Sequence, residues 1–136
     1  MRFLFKIILL LSQIPLRILY LISDFMFFVI YYIIGYRRKV VLENLQHSFP
    51  EKSPADLKKI EKKFYINFCD YIVETFKSFT ISSTELRVRV QHLNQDIFQE
   101  AKEENKNVIL LAGHVFNWEW YNTLATIIPQ ENSFPV

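Results

Sequence analysis

The chain has 136 residues, the size of one small domain, and a formal net charge of +2 at pH 7. Apolar residues make up 51% and aromatics 16%, with 13 Phe and 7 Tyr, and the excess is gathered in the first 36 residues, which argues against an ordinary soluble domain. The charge is also uneven: Arg2, Lys6, Arg17, Arg37, Arg38 and Lys39 are opposed only by Asp24 in the first 39 residues, a net of +5, so the remainder carries −3. Basic groups bordering an apolar segment suit anionic lipid headgroups, and nucleic acid is not the partner this distribution points to.

Residues 3–34 are almost continuously apolar, broken by Lys6, Pro15, Arg17 and Asp24. Residues 18–36 hold one charge and are long enough to cross a hydrocarbon core of about 30 Å. The segment is too long for a signal peptide and is followed by no small-residue cleavage site. Arg37, Arg38 and Lys39 directly after it favour a cytoplasmic C-terminal side. Asp24 is costly at bilayer depth, so the same segment also reads as a helix lying in the interface, and more remotely as the buried helix of a soluble domain. Residues 1–39 are therefore expected to be a membrane anchor, and residues 40–136 the start of a separate α/β domain.

Residues 36–49 read as a short helix with Val40, Val41, Leu42 and Leu45 on its apolar side. Ser53-Pro54-Ala55-Asp56 is a helix start, with Ser as N-cap, Pro at the first helical position and an acid at the third. The helix should run to about Phe79, with Leu57, Ile60, Phe64, Phe68, Tyr71, Ile72, Phe76 and Phe79 as its core face. Lys58, Lys59, Lys62 and Lys63 fall mostly elsewhere, as a solvated face or a contact for an acidic carrier protein or phosphate. Cys69 has no partner for an internal disulfide, fits a reducing compartment and reads as a small buried residue.

After a connector at 81–85, Leu86, Val88 and Val90 alternate with Arg87, Arg89 and Gln91, the two-residue period of a half-exposed strand. Arg87 and Arg89 are candidates for meeting a phosphorylated substrate. Asn94 can cap a helix to about Glu104 with Ile97, Phe98 and Ala101 inward, closed by Asn105-Lys106-Asn107. The run Val108-Ile109-Leu110-Leu111-Ala112 then reads as a buried strand. Strand, helix, strand, loop, helix is the order of an α/β sheet, whose ligands sit at the carboxyl ends of the strands.

That loop is Gly113-His114-Val115-Phe116-Asn117-Trp118-Glu119-Trp120. On a regular helix, residues five apart lie roughly 140° apart around the axis, so His114 and Glu119 can face one substrate only if a turn separates them. A turn at Gly113 with a helix beginning near Asn117 supplies it. A carboxylate beside imidazole fixes the tautomer and supports the imidazolium formed when His takes a proton, the pairing of a general-base site. Asn117 serves as a helix N-cap or as a hydrogen-bonding partner of loop or substrate. Trp118 and Trp120 read as packing for the loop, with contact to an acyl chain as the alternative. A zinc site is not indicated, because His47 and His92 stand in unrelated contexts.

The string Gly-His-x-x-Asn-Trp-Glu resembles the H-x4-D/E motif of glycerolipid-type acyltransferases, in the form used by the lipid A biosynthesis (lauroyl/myristoyl) acyltransferase family. A second stretch, Tyr36-Arg37-Arg38-Lys39-Val40-Val41-Leu42-Glu43-Asn44-Leu45 followed by Ser48-Phe49-Pro50-Glu51, resembles the segment after that family's N-terminal anchor. The resemblance covers nearly the whole chain, but only the N-terminal portion of a typical member, so the chain is expected to be an incomplete domain. It departs at Phe116, where many members carry Gly.

The resemblance implies an N-terminal membrane helix followed by helices and the first strands of an acyltransferase-type mixed sheet. It implies transfer of a fatty acyl chain from acyl carrier protein or coenzyme A thioester to a hydroxyl of a lipid A precursor at the cytoplasmic face of the inner membrane. His114 would be the general base and Glu119 its orienter, with no metal or organic cofactor. Two alternatives stand beside it: a truncated, non-catalytic membrane-anchored interaction protein, and an acyltransferase acting on a glycerolipid or aminolipid.

Overall fold

The structure is a computed structural model and describes residues 2–94 and 96–121. Its elements are α1 (Arg2–Ser12), α2 (Leu16–Phe27) continuing as a π-helix (Phe28–Ile34), α3 (Arg38–Ser48), α4 (Pro54–Lys77), α5 (Ser83–Arg89) and α6 (Asp96–Glu103). The chain divides into two compact units, residues 1–79 and 80–136.

In the first unit the helix boundaries follow from local chemistry. Pro15 separates α1 from α2 with an extended ψ of 140°, and its carbonyl accepts from the Ile18 and Leu19 amides at 2.9 and 3.1 Å. The π-helix ends at Gly35 with φ +64°, a left-handed conformation glycine adopts without a Cβ penalty. Helix α4 begins as the sequence indicates: the Asp56 amide donates to Ser53 Oγ at 3.2 Å, with Pro54 at the first position. The Lys59 ammonium, 2.9 Å from Asp56, and then the Ser53 hydroxyl hold the Asp56 carboxyl below the usual carboxylate range. Because that value is lowered on folding, its contribution is present at neutral pH and fades as the pH falls through the folded value.

The buried side of α4 keeps the expected Leu57 and Cys69 but is otherwise a different one. Leu57, Glu61, Tyr65, Cys69, Val73 and Lys77 are buried at every fourth position, while Phe64 and Phe79 are exposed and Ile60, Phe68, Tyr71, Ile72 and Phe76 are half-buried. The reason lies in what α4 packs against. Helix α2 and its π continuation run antiparallel to it and present hydroxyls among their apolar residues. Tyr20 donates to Glu74 at 2.6 Å, Ser23 to Asp70 at 2.6 Å and Tyr31 to Glu61 at 3.3 Å. Beyond the end of this ladder, Lys77 Nζ donates to the carbonyls of Ser12 and Ile14 at 3.1 and 3.2 Å, satisfying groups that the end of α1 leaves open.

Glu61, 1% exposed, is the most enclosed charge of this face. Arg38 of α3 grips it through Nε at 2.8 Å and a terminal nitrogen at 3.2 Å, and also donates to the Tyr31 hydroxyl at 3.2 Å. The guanidinium lies over the Tyr31 ring, 4.0 Å from its centre. Hydrogen bonding to Glu61 raises the Arg38 pKa above its ordinary value, so the cation persists at all accessible pH. Tyr65 donates to the Tyr36 carbonyl, tying the residues just past the π-helix to the same place.

In the second unit the expected α/β fold is overturned. Among its described residues the regular elements are the helices α5 and α6, with one 3-10 turn at 118–121, and no strand. The half-exposed strand expected at 86–90 is helix α5, because Ser82 caps it by accepting from the Glu85 amide at 3.1 Å and Arg89 returns to Glu85 at 3.6 Å. Ser82-x-x-Glu85 is the sequence pattern of a helix N-terminus, a stronger local signal than three alternating apolar residues. Helix α6 closes as expected: Asn105 takes φ +52°, and the Lys106 amide bonds back to the Ala101 carbonyl at 2.8 Å. Residues 106–115 form no regular element and pair with no strand among the described residues, and Ile109 and Leu111 are 85% and 93% exposed. An apolar run without a ladder partner has no sheet to bury its side chains in.

Replacing Glu61 by Ala leaves the Arg38 guanidinium and Tyr31 hydroxyl facing an empty site and is expected to destabilise the protein by about 2–3 kcal/mol, read as a lowered denaturation midpoint. Lys62→Ala, on the exposed side, should change the midpoint by less than about 0.5 kcal/mol. Burial, then the Asp70 charge, pushes the Cys69 thiol up. Cys69 should therefore resist maleimide at neutral pH in the folded protein and react fully in denaturant. Since its pKa is raised on folding, the associated stability is present below the ordinary thiol value and is lost as the pH rises.

Candidate active site: the bend at His114

The segment from Gly113 to Tyr121 is built by three short-range hydrogen bonds. The Val115 amide bonds the Gly113 carbonyl at 2.8 Å, the Trp118 amide the Phe116 carbonyl at 2.8 Å, and the Trp120 amide the Asn117 carbonyl at 3.1 Å. Residues 118–121 form a single 3-10 turn, so the chain bends between His114 and Glu119 instead of continuing as one helix. Phe116 sits at the bend with φ +48°, the left-handed region that costs a non-glycine residue of order 1–2 kcal/mol. The position at which the resemblance leads one to expect Gly is thus the one with a left-handed backbone.

The His114 ring is exposed and lies 4.4 Å from the Trp118 ring, centre to centre, with the planes tilted by 43°. Asn117, Glu119 and Trp120 are half-buried, and Asn117 Oδ1, Glu119 Oε2 and Trp120 Nε1 are shielded from solvent. The imidazole is thus open to an incoming molecule, while the polar atoms of the following turn are directed inward.

Arg87 and Arg89 lie on α5, a different element from the bend; Arg89 is engaged with Glu85 and Arg87 is exposed. A shallow, open depression of about 340 Å³ lies elsewhere in this unit, lined in part by His92, Leu93, Ile97, Phe98, Val108 and Leu110. The sequence reading gave His92 no role, and only its place beside the apolar residues of α6 brings it to notice.

Once the bend and its residues are in view, comparison with known proteins places the chain among acyltransferases. More narrowly, it belongs to the family described as bacterial lipid A biosynthesis acyltransferase, whose model matches residues 2–130. No curated protein and no solved structure matches it.

Phe116→Gly should relieve the left-handed strain and leave acyl transfer within a few-fold of the parent. Phe116→Val, a β-branched residue forced to positive φ, should lower it much further. Equal rates for the two variants in a purified assay would show that the bend does not depend on that conformation.

Proposed function

We propose that the protein transfers a fatty acyl chain from a carrier thioester, acyl carrier protein or coenzyme A, to a hydroxyl of a lipid A precursor at the cytoplasmic face of the inner membrane. The observation that carries this reading is the family match across residues 2–130, which takes in the bend and its exposed imidazole.

The chemistry asked of the site is modest. A hydroxyl is a weak nucleophile at neutral pH, whereas a thioester carbonyl is already activated, so one base suffices and no covalent enzyme intermediate is needed. His114 takes the hydroxyl proton as the oxygen attacks the carbonyl carbon. The C–O ester bond forms, the C–S bond breaks, and the proton passes to the departing thiolate. Glu119, in the turn that follows, orients the ring and supports the imidazolium. Asn117 fixes the loop or hydrogen-bonds substrate. Arg87 and Arg89 are assigned to phosphate groups of the bound molecules, Arg89 by exchanging Glu85 for the ligand. The proton transfer calls for no metal or organic cofactor.

His114→Ala should lower turnover with acyl carrier protein thioester and lipid A precursor by at least about 100-fold, while expression and membrane association stay intact. Glu119→Gln should lower it less and shift the acidic limb of the pH–rate profile. Near-normal transfer by purified His114→Ala protein would remove the base role. Mass spectrometry of lipid A from cells lacking the protein should show a species short of one acyl chain.

A further inference from the structure

Residues Leu16–Ile34 form one helical run with a mean hydropathy of 1.8, long and apolar enough to cross a membrane by length and composition. Its packing argues for another use. Tyr20 with Glu74, Ser23 with Asp70 and Tyr31 with Glu61 form an antiparallel register, in which each step up one helix matches a step down the other. Helix α4 therefore accompanies this run along nearly its whole length of roughly 28 Å.

A crossing by Leu16–Ile34 leaves two choices. Either α4 is left outside and every rung of the ladder is broken, or α4 enters the hydrocarbon too. The second choice takes Asp70 and Glu74 to bilayer depth and draws exposed Lys62 and Lys63 in from the rim. It also leaves Asp24, exposed near the midpoint of the run, in the acyl chains.

The exposed residues resolve the conflict. Ile18, Leu21, Phe25 and Phe28 recur at three- and four-residue steps on the side opposite the buried Leu16, Leu19 and Ser23 that face α4. Arg17 and Asp24, seven residues apart, share one flank between the two faces. Exposed Lys6, Arg17, Arg37 and Lys39 supply positive charge around the apolar side. An anionic leaflet surface complements that pattern: apolar groups enter it and cations meet its headgroups.

We infer that Leu16–Ile34 does not cross the bilayer but lies in the plane of one leaflet, held on α4 by the hydroxyl–carboxylate ladder, with Ile18, Leu21, Phe25 and Phe28 among the acyl chains and α4 on the aqueous side. The inference rests on the membrane attachment in the reading above and is independent of the chemistry at His114.

The test uses the whole protein in its own membrane, in which buried Cys69 stays unlabelled. Gln13→Cys, between α1 and α2, and Lys52→Cys, before α4, are exposed positions at opposite ends of the run. With a membrane-impermeant maleimide applied to spheroplasts, both should be protected and both should become labelled on lysis. Labelling of one and protection of the other in intact spheroplasts overturns the proposal, whether α4 crosses or not. A fluorophore on Phe25→Cys in anionic vesicles should be quenched most by lipids brominated near the headgroup; strongest quenching from the bilayer centre also overturns it. Loss of acyl transfer in His114→Ala with unchanged labelling separates this result from the fate of the proposed activity.

Discussion

The first unit of this protein depends on one constraint: α4 buries Glu61 and Lys77, and half-buries Asp70 and Glu74, against a largely apolar helix. A carboxylate or ammonium withdrawn from water is tolerated only when hydrogen bonds replace the water it loses. Glu61, Asp70, Glu74 and Lys77 each have such a partner, drawn respectively from Arg38 with Tyr31, Ser23, Tyr20, and the carbonyls of Ser12 and Ile14. Apolar packing alone would let two smooth helices slide or rotate on one another. Directional bonds at Tyr20, Ser23 and Tyr31 fix their register. The Arg38–Glu61 pair then locks α3 to the same helix, so four elements share one set of polar contacts.

This design explains what the sequence made legible and what it hid. The cap at Ser53, the length of α4, the closure of α6 at Asn105 and the bend after Gly113 are all local devices, each written in two to four adjacent residues. The buried face of α4 was hidden, because periodicity weighs Phe64 and Phe79 as core and Glu61 and Lys77 as surface. Their true places depend on hydroxyls and carbonyls supplied by residues some 30 to 65 positions earlier. The sheet failed for a different reason. Alternation over 86–90 is a weak signal, and the Ser82–Glu85 cap outweighs it. The apolar run at 108–112 has the composition of a buried strand, but composition names no partner, and none is present among the described residues.

The candidate site was legible as a motif more than as a geometry. His114, Asn117 and Glu119 declare themselves by type and spacing within a family whose model spans residues 2–130. The left-handed Phe116 could be suspected only from the Gly that the resemblance leads one to expect there, and its φ of +48° gives that expectation a physical meaning. Arg87 and Arg89 change character in the structure. As alternate residues of a strand they would have shared a face; on a helix they diverge by about 200°, so a single ligand group no longer meets both in the same way.

The wide helix at Phe28–Ile34 has a bearing on how this helical run tolerates changes in length. A π turn takes up about one more residue than an α turn, so it absorbs an added residue without shifting what lies on either side. A chain one residue shorter there could close the gap as an ordinary α-helix, keeping Ser23 and Arg38 in phase with their partners. Insertions and deletions between Phe28 and Ile34 thus have a place to be accommodated that the ladder to either side lacks.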